Sequence, residues 1–296
     1  MQTNKQTNKQ TNKQTNKQTN KQTNKQTNKQ TNKQTIFLAA NERYTDKVLT
    51  TIKSVCFHNR NIDFYLLNKD ISPEWFDYVN HFLVQVNSFL FDVKVNYQLE
   101  KYKTYEHINS ETTYFRYFIS EVINDRNVLY LDSDLVVNGS LEFLFDIDLT
   151  DYFVAGSLDD LAHNFYQNEG MFNAGVLLIN TKLWHEQNIP QLALNITDKY
   201  SEELRDGDQE VLNLLFKGKW LELNNNINYL VGAEYLYNKN DLSHFIHRPA
   251  NIPLILHFNT AYKPWLIIND LPFREYYWYY YRLTFEQIIQ KHKQEI

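Results

Sequence analysis

After Met1, apolar side chains are absent up to position 34 of the chain and then return in short, regular groups. From Thr3 to Gln34 the unit Thr-Asn-Lys-Gln repeats eight times without a hydrophobic residue. Such a segment has nothing to bury against the entropy of ordering itself, so residues 1–34 are predicted to be a disordered tail. The tail is also too polar for a signal peptide or a membrane span. At residues 35–40 the pattern becomes that of a first strand, broken at Asn41-Glu-Arg-Tyr44. A helix is expected from there to about His58, with Thr45 or Asp46 as its cap. Residues 62–67 read as a second strand, and Ser72 with Pro73 opens another helix. Residues 91–95 make a third strand. Over 112–123, Phe115, Phe118, Ile119, Val122 and Ile123 fall on one side of a helix. That helix leads into Val128, Leu129, Tyr130 and Leu131, an unbroken apolar run of the kind found in strands covered on both faces. A second such run spans 171–180. Helices follow near Thr181 and after Arg205, and 252–256 is the last clear strand. Strands alternating with helices predict an α/β fold with a mostly parallel, nucleotide-binding type of sheet.

The apolar run at 128–131 ends in Asp132 and Asp134. Side chains at i and i+2 of an extended chain point the same way, so both acids can face one point in space. Two hard oxygen donors there suit Mg²⁺ or Mn²⁺, which would complete its shell with a polyanion, and the carboxyl ends of strands are where open α/β sheets bind ligands. The spelling alone is weak, because D-x-D occurs three times, at Asp132/Asp134, Asp146/Asp148 and Asp206/Asp208. Asp146 and Asp148 follow a short helical stretch at 141–145 and read as a solvated turn. Asp208 begins a helix, where an acid is commonly stabilising. The strand ending at 256 runs into His257-Phe-Asn-Thr-Ala-Tyr-Lys-Pro-Trp265. An imidazole added to two carboxylates tilts the choice of ion toward Mn²⁺, and Lys263 suits a diphosphate as a point charge.

Charge sharpens this picture. The repeat carries eight of the 30 basic residues and no acid, leaving 22 basic against 35 acidic side chains in the rest, a net of −13. A body of that charge has no broad basic face for nucleic acid, and an anionic substrate needs a local cation. The single cysteine, Cys56, excludes an internal disulfide and agrees with a reducing compartment. The repeat also bears on the gene: ACAA iterated and read in triplets encodes Thr-Asn-Lys-Gln, so gain or loss of one unit shifts the frame. On/off phase variation is expected, with a flexible linker or adhesive arm as the plainer alternative.

Six motifs in order resemble glycosyltransferase family 8, including the bacterial lipooligosaccharide α-galactosyltransferases and the lipopolysaccharide glucosyl- and galactosyltransferases. They are Phe37-Leu-Ala-Ala40, Thr113-Tyr-Phe-Arg116, Leu129-Tyr-Leu-Asp-Ser-Asp134, Phe172-Asn-Ala-Gly-Val-Leu-Leu-Ile-Asn180, Asp208-Gln-Glu-Val-Leu-Asn213, and His257-Phe with Lys263-Pro-Trp265. The resemblance covers about 36–265. It implies a GT-A fold over 35–268, a Mn²⁺ requirement and transfer of hexose from a UDP-sugar with retention of configuration. By the same resemblance Asp132, Asp134 and His257 are the metal ligands and Lys263 a diphosphate contact. Arg116, Asp132, Asn173, Asp208 and Gln209 hold the donor sugar, with Asp159 near the sugar or acceptor. Ala39, Ala40, Asn41, Arg43 and Tyr44 line the nucleoside pocket, and Ser133 meets the nucleotide through its backbone. Asn41, Arg43 and Thr260 depart from the nearest family pattern, which has Asp, Asn and Gly at those positions.

Asp208 and Gln209 are the candidate catalytic residues, as nucleophiles in a double displacement, although a front-face path with UDP deprotonating the acceptor is preferred. The donor is UDP-galactose or UDP-glucose, and the acceptor a glycan or glycolipid. The residues at 269–296 form an aromatic extension that either contacts a membrane at the cytoplasmic face or packs on the domain as helix. Two rivals of other classes are a phosphatase using D-x-D at a strand end and a sugar-binding surface protein with the repeat as a stalk.

Overall fold

Alternate residues of the first strand enter two separate cores, and the rest of the fold follows from that division. Ile36 and Leu38 pack on one side of the sheet and Phe37 on the other; Leu129 and Leu131 likewise oppose Val128 and Tyr130. A strand with both faces covered must be apolar throughout, and that is the origin of the unbroken run before Asp132. The computed structural model describes residues 33–102, 110–162 and 170–294. Residues from Thr35 to Ile296 form one unit, distinct from residues 1–34. The repeat tail, apart from Lys33 and Gln34, lies outside the described residues.

The strands are β1 (Gln34–Ala39), β2 (Ile62–Asn68), β3 (Phe89–Lys94), β4 (Asn127–Leu131), β5 (Leu135–Val137), β6 (Val154–Leu158), β7 (Phe172–Asn180), β8 (Trp220–Leu223), β9 (Tyr229–Leu230) and β10 (Ile255–His257). The helices are α1 (Thr45–His58), α2 (Pro73–Leu83), α3 (Ile119–Val122), α4 (Thr181–Glu186), α5 (Ile189–Tyr200), α6 (Asp208–Leu215), α7 (Val231–Lys239), α8 (Arg274–Arg282) and α9 (Phe285–Gln294). A seven-stranded sheet in the order β3-β2-β1-β4-β7-β6-β8 is joined by a three-stranded one, β5-β10-β9. The large sheet is mostly parallel, as expected, but β7 runs antiparallel to both β4 and β6. An apolar run buried on both faces does not reveal its direction.

Three local differences from the sequence reading matter. The first turn after β1 is a 3₁₀ helix at Glu42–Tyr44, so Tyr44 rather than Thr45 or Asp46 occupies the cap position of α1. The helix expected over 112–123 is 3₁₀ from Glu111 to Phe118 and α only in its last turn. In a 3₁₀ helix side chains at i and i+3 eclipse, and Thr113 and Arg116 thereby work on the same neighbour, as described below. The last strand is confined to Ile255–His257 because Pro253 has no amide hydrogen for a ladder.

The C-terminal helices take the packed alternative. Tyr277, Phe285 and Ile288 are buried in the core beside α1, and the Phe285 ring stacks on Phe82 at 5.0 Å. The buried Lys53 donates to the carbonyl oxygen of Leu283 at 2.9 Å, clamping the α8–α9 junction to α1. Tyr279 and Tyr281 remain exposed. No described helix is long and apolar enough to cross a membrane.

Candidate active site

Strand registers bring the predicted metal ligands together. Leu131 pairs with Val176, and the Asp132 amide donates to the Gly175 carbonyl at 2.8 Å, extending the β4–β7 ladder by one step. His257 pairs with Leu135 across β5–β10, placing the imidazole next to Asp134. The Asp132 Oδ1 accepts from Tyr130 Oη at 2.8 Å and Arg116 Nη2 at 3.1 Å, leaving Oδ2 3.7 Å from His257 Nε2. Asp134 Oδ1 lies 3.2 Å from the same nitrogen, and Lys263 Nζ donates to Asp134 Oδ2. One donor atom from each of Asp132, Asp134 and His257 falls within 4.8 Å of the other two.

The donor set fits a divalent cation. Two carboxylate oxygens and an imidazole nitrogen suit Mn²⁺ chemically, and Asp134 Oδ1 is buried without a hydrogen-bond partner among the described residues. Burial pushes the Asp134 carboxyl up, but the Lys263 ammonium, and the His257 ring when it carries a second proton, outweigh burial and hold the group below the usual carboxylate range. Gly175 is required by crowding here. A Cβ at that position would lie 2.2 Å from His257 Cε1 and 2.7 Å from Asp132 Oδ2.

Opposite this corner, Arg116 is buried and shared. It donates to the Ala174 carbonyl, reaches Asp132, and has Nε 2.8 Å from Asp208 Oδ2. Burial opposes its charge, but Asp132 and Asp208 outweigh burial and hold its proton more tightly than usual. Thr113, one 3₁₀ turn before Arg116, donates to Asp208 Oδ1. Burial still raises the Asp208 carboxyl to about 6. Gly207, at φ 54° and ψ −121°, adopts a conformation suited to glycine and lets Asp206 and Asp208 both line the cavity. Asp206 is also raised to about 6, first by burial and then by Asp159, Glu210 and Asp208.

A network of amides joins the two sides. Gln209 Oε1 accepts from the Ala174 amide at 2.9 Å and from Asn173 Nδ2 at 3.2 Å, while its Nε2 donates to Asp159 at 3.0 Å. Asn173 Nδ2 also donates to Asp159 at 3.0 Å. The buried Asn228 donates to Asn173 Oδ1 at 2.9 Å and sits 3.1 Å from His257 Nδ1.

These groups line a cavity of about 520 Å³, large enough for a small-molecule ligand. It unites Arg116, Asp132, Asp134, Asp159, Asn173, Asp208, Gln209, His257, Thr260 and Lys263. The proposed nucleoside strip, Ala39, Ala40, Asn41, Arg43 and Tyr44, and Ser133 are not among its lining residues. The strip adjoins the site instead. Ser133 donates to the Ala39 carbonyl at 3.0 Å, Tyr44 meets Trp265 edge-on at 6.1 Å, and Arg43 is exposed. Asn41 Nδ2 donates to Ser110 at 3.2 Å while its Oδ1 is buried without a described partner. Thr260 has a φ of 73°, left-handed for a β-branched residue, which explains why glycine suits this place in the family pattern. Sequence reading missed Thr113, Asp206 and Asn228. Thr113 belongs to a motif already singled out, whereas an isolated Asn in the run Asn224-Asn-Asn-Ile-Asn228 carries no signal of its own.

The sequence model described as Glycosyl transferase family 8 matches residues 35–269. Glycosyltransferase GlyF of Streptococcus pneumoniae serotype 4 is 39% identical over 258 residues, covering 86% of this chain and 63% of that protein. The crystal structure of glycosyltransferase GlyE from S. pneumoniae TIGR4 superposes with a TM-score of 0.77 at 32% identity, over 89% of this chain and 64% of that one. The galactosyltransferase LgtC, solved with donor and acceptor sugar analogues, superposes with a TM-score of 0.71 at 26% identity, over 87% of this chain and 99% of that one. Against GlyA and GlyF, the chain spans 36% and 63% of the relative's length. The fold is therefore the expected GT-A arrangement.

Proposed function

The chain belongs to glycosyltransferase family 8, and from that premise we propose that it is a Mn²⁺-dependent, retaining hexosyltransferase. Its donor is UDP-galactose, with UDP-glucose as the alternative, and its acceptor a glycan or glycolipid of the lipooligosaccharide or lipopolysaccharide type. The observation that carries this reading is one cavity lined by two unlike groups of side chains. Asp132, Asp134, His257 and Lys263 form one cluster, and Asp159, Asn173 and Gln209 are hydrogen-bonded to one another in the second. The first set suits a cation and a diphosphate, the second the hydroxyls of a sugar. LgtC, whose fold this chain shares, is described as a galactosyltransferase.

In that reading Asp132, Asp134 and His257 would hold the cation, and the chemistry it would supply is positive charge for the departing UDP. Lys263 keeps Asp134 ionised and adds positive charge beside the diphosphate. Asp159, Asn173 and Gln209 orient the hexose through their mutual hydrogen bonds. The local geometry favours the front-face path over double displacement. Gln209 Oε1 already accepts two hydrogen bonds, and Asp208 is buried with Oδ1 bound by Thr113 and Oδ2 ion-paired with Arg116, so attack by either would break an existing contact. A trapped glycosyl adduct on Asp208 would overturn this preference.

The test is a panel of UDP-hexoses with Mn²⁺. Slow release of UDP without inorganic phosphate, fastest for UDP-galactose, supports the transferase; release of phosphate supports a D-x-D phosphatase. The enzyme is placed at the cytoplasmic side, and any peripheral membrane contact of the C-terminal segment would use the outward Tyr279 and Tyr281. Expression is proposed to switch with repeat number. Clonal isolates that change expression at constant repeat length would argue against this.

A further inference from the structure

His257 belongs to the cluster of candidate metal ligands and Asn173 to the amide network beside it, and one side chain touches both. Asn228 is 1% exposed, with its amide between His257 Nδ1 and Asn173 Oδ1. Amides and imidazoles can each be turned two ways, but here the direction is set by a group that cannot turn. The Gly175 backbone N–H is a donor only and reaches Asn173 Oδ1 at 3.1 Å. The other end of the Asn173 amide faces the Asp159 carboxylate and Gln209 Oε1. Gln209 Oε1 is itself fixed as an oxygen by the Ala174 N–H. Asn173 therefore presents oxygen to Asn228, Asn228 answers with its NH₂, and its remaining oxygen meets His257. Only an imidazole carrying its proton on Nδ1 satisfies that oxygen. Neutral His257 is then left with a lone pair on Nε2, which lies beside Asp132 and Asp134.

We propose that Asn228 is a positioning residue. It fixes His257 as the Nδ1–H tautomer, so that Nε2 is ready to ligate the divalent cation, and it ties the metal corner to the sugar-holding Asn173. The proposal rests on the cation reading of Asp132, Asp134 and His257. The strand register supplies the placement: β9 runs parallel to β10 with Leu230 opposite His257, which carries the residue just before β9 to the imidazole. A partner that sets the tautomer of a ligating histidine contributes to metal affinity without touching the metal. In the opposite tautomer the Asn228 oxygen and the Nδ1 lone pair would face each other in a buried place, at the cost of an unsatisfied acceptor.

The experiment is ¹⁵N NMR of the His257 ring in the metal-free full-length protein, followed by Mn²⁺ titration, for wild type, N228L and N228D. Wild type should carry the proton on Nδ1. N228L removes the oxygen, so the Nε2–H form should become populated and Mn²⁺ affinity should fall about 10- to 100-fold. N228D keeps an oxygen for His257 but loses the N–H donated to Asn173; it should keep the Nδ1 proton, which separates the contact to His257 from the contact to Asn173. If N228L does not fold, the wild-type and N228D spectra decide. An Nε2–H ring in wild type, or an N228L protein with unchanged tautomer and Mn²⁺ affinity, overturns the proposal. A wild-type protein with an Nδ1–H ring that binds no Mn²⁺ would instead overturn the cation reading.

Discussion

Asp132/Asp134 and Asp206/Asp208 share the D-x-D spelling and line the same cavity, yet Asp134 and the second pair hold their protons differently. Asp134 is kept below the ordinary carboxylate range, while Asp206 and Asp208 are each pushed up to about 6. Burial pushes all three up, so the difference lies in their partners. Lys263 and His257 stand over Asp134. Among the described residues the cation paired with Asp208 is Arg116, which it shares with Asp132. Asp206 faces other acids, Asp159 and Glu210 among them. Spelling locates carboxylates. Lys263, in the loop after β10, decides that Asp134 stays ionised.

Breaking the first pair should have the largest effect. Asp134→Asn removes a proposed ligand and leaves Lys263 without its acid. Transfer from the UDP-hexose, read as kcat/KM, should fall about 10³-fold or more; a loss within tenfold would undo the contrast. Asp208→Asn comes next. It leaves the metal corner intact, so transfer should fall about 100-fold while Mn²⁺ affinity, measured by titration, changes less than about threefold. Equal loss of Mn²⁺ binding in both variants would merge the two pairs into one site.

The smallest effect is on stability. A carboxyl whose folded value is raised to about 6 binds its proton more tightly in the native state than in the unfolded chain, near 4. Its contribution is therefore favourable below about pH 4 and is lost as pH rises through 6. Asp206→Asn should abolish that loss, so the variant gains on wild type between pH 4 and 6, by about 1 kcal/mol after allowance for solvent screening. Denaturant melts across that range would show it, and parallel curves would contradict the raised value.

Much of this was legible in the chain because it follows from local pattern. The unbroken apolar run before Asp132 required a strand covered on both faces, and the two cores supply the covers. The metal corner was legible through strand ends and motif order. What was not legible depends on pairing between distant segments. The reversal of β7 leaves no mark on a run apolar at every position. The 3₁₀ form of 111–118, which aims Thr113 and Arg116 together at Asp208, cannot be told from an α-helix by its aromatic residues. Asn228 gains its role only when β9 lies beside β10. Asn41, Arg43 and Tyr44 adjoin the cavity without lining it.

The most direct test of the metal corner is calorimetric titration of Mn²⁺ into the metal-free protein, with and without UDP. One Mn²⁺ per chain is expected, bound more tightly when UDP is present and no longer bound in Asp134→Asn. UDP binding that is indifferent to Mn²⁺, or Mn²⁺ binding that survives loss of the Asp134 carboxylate, would contradict the assignment.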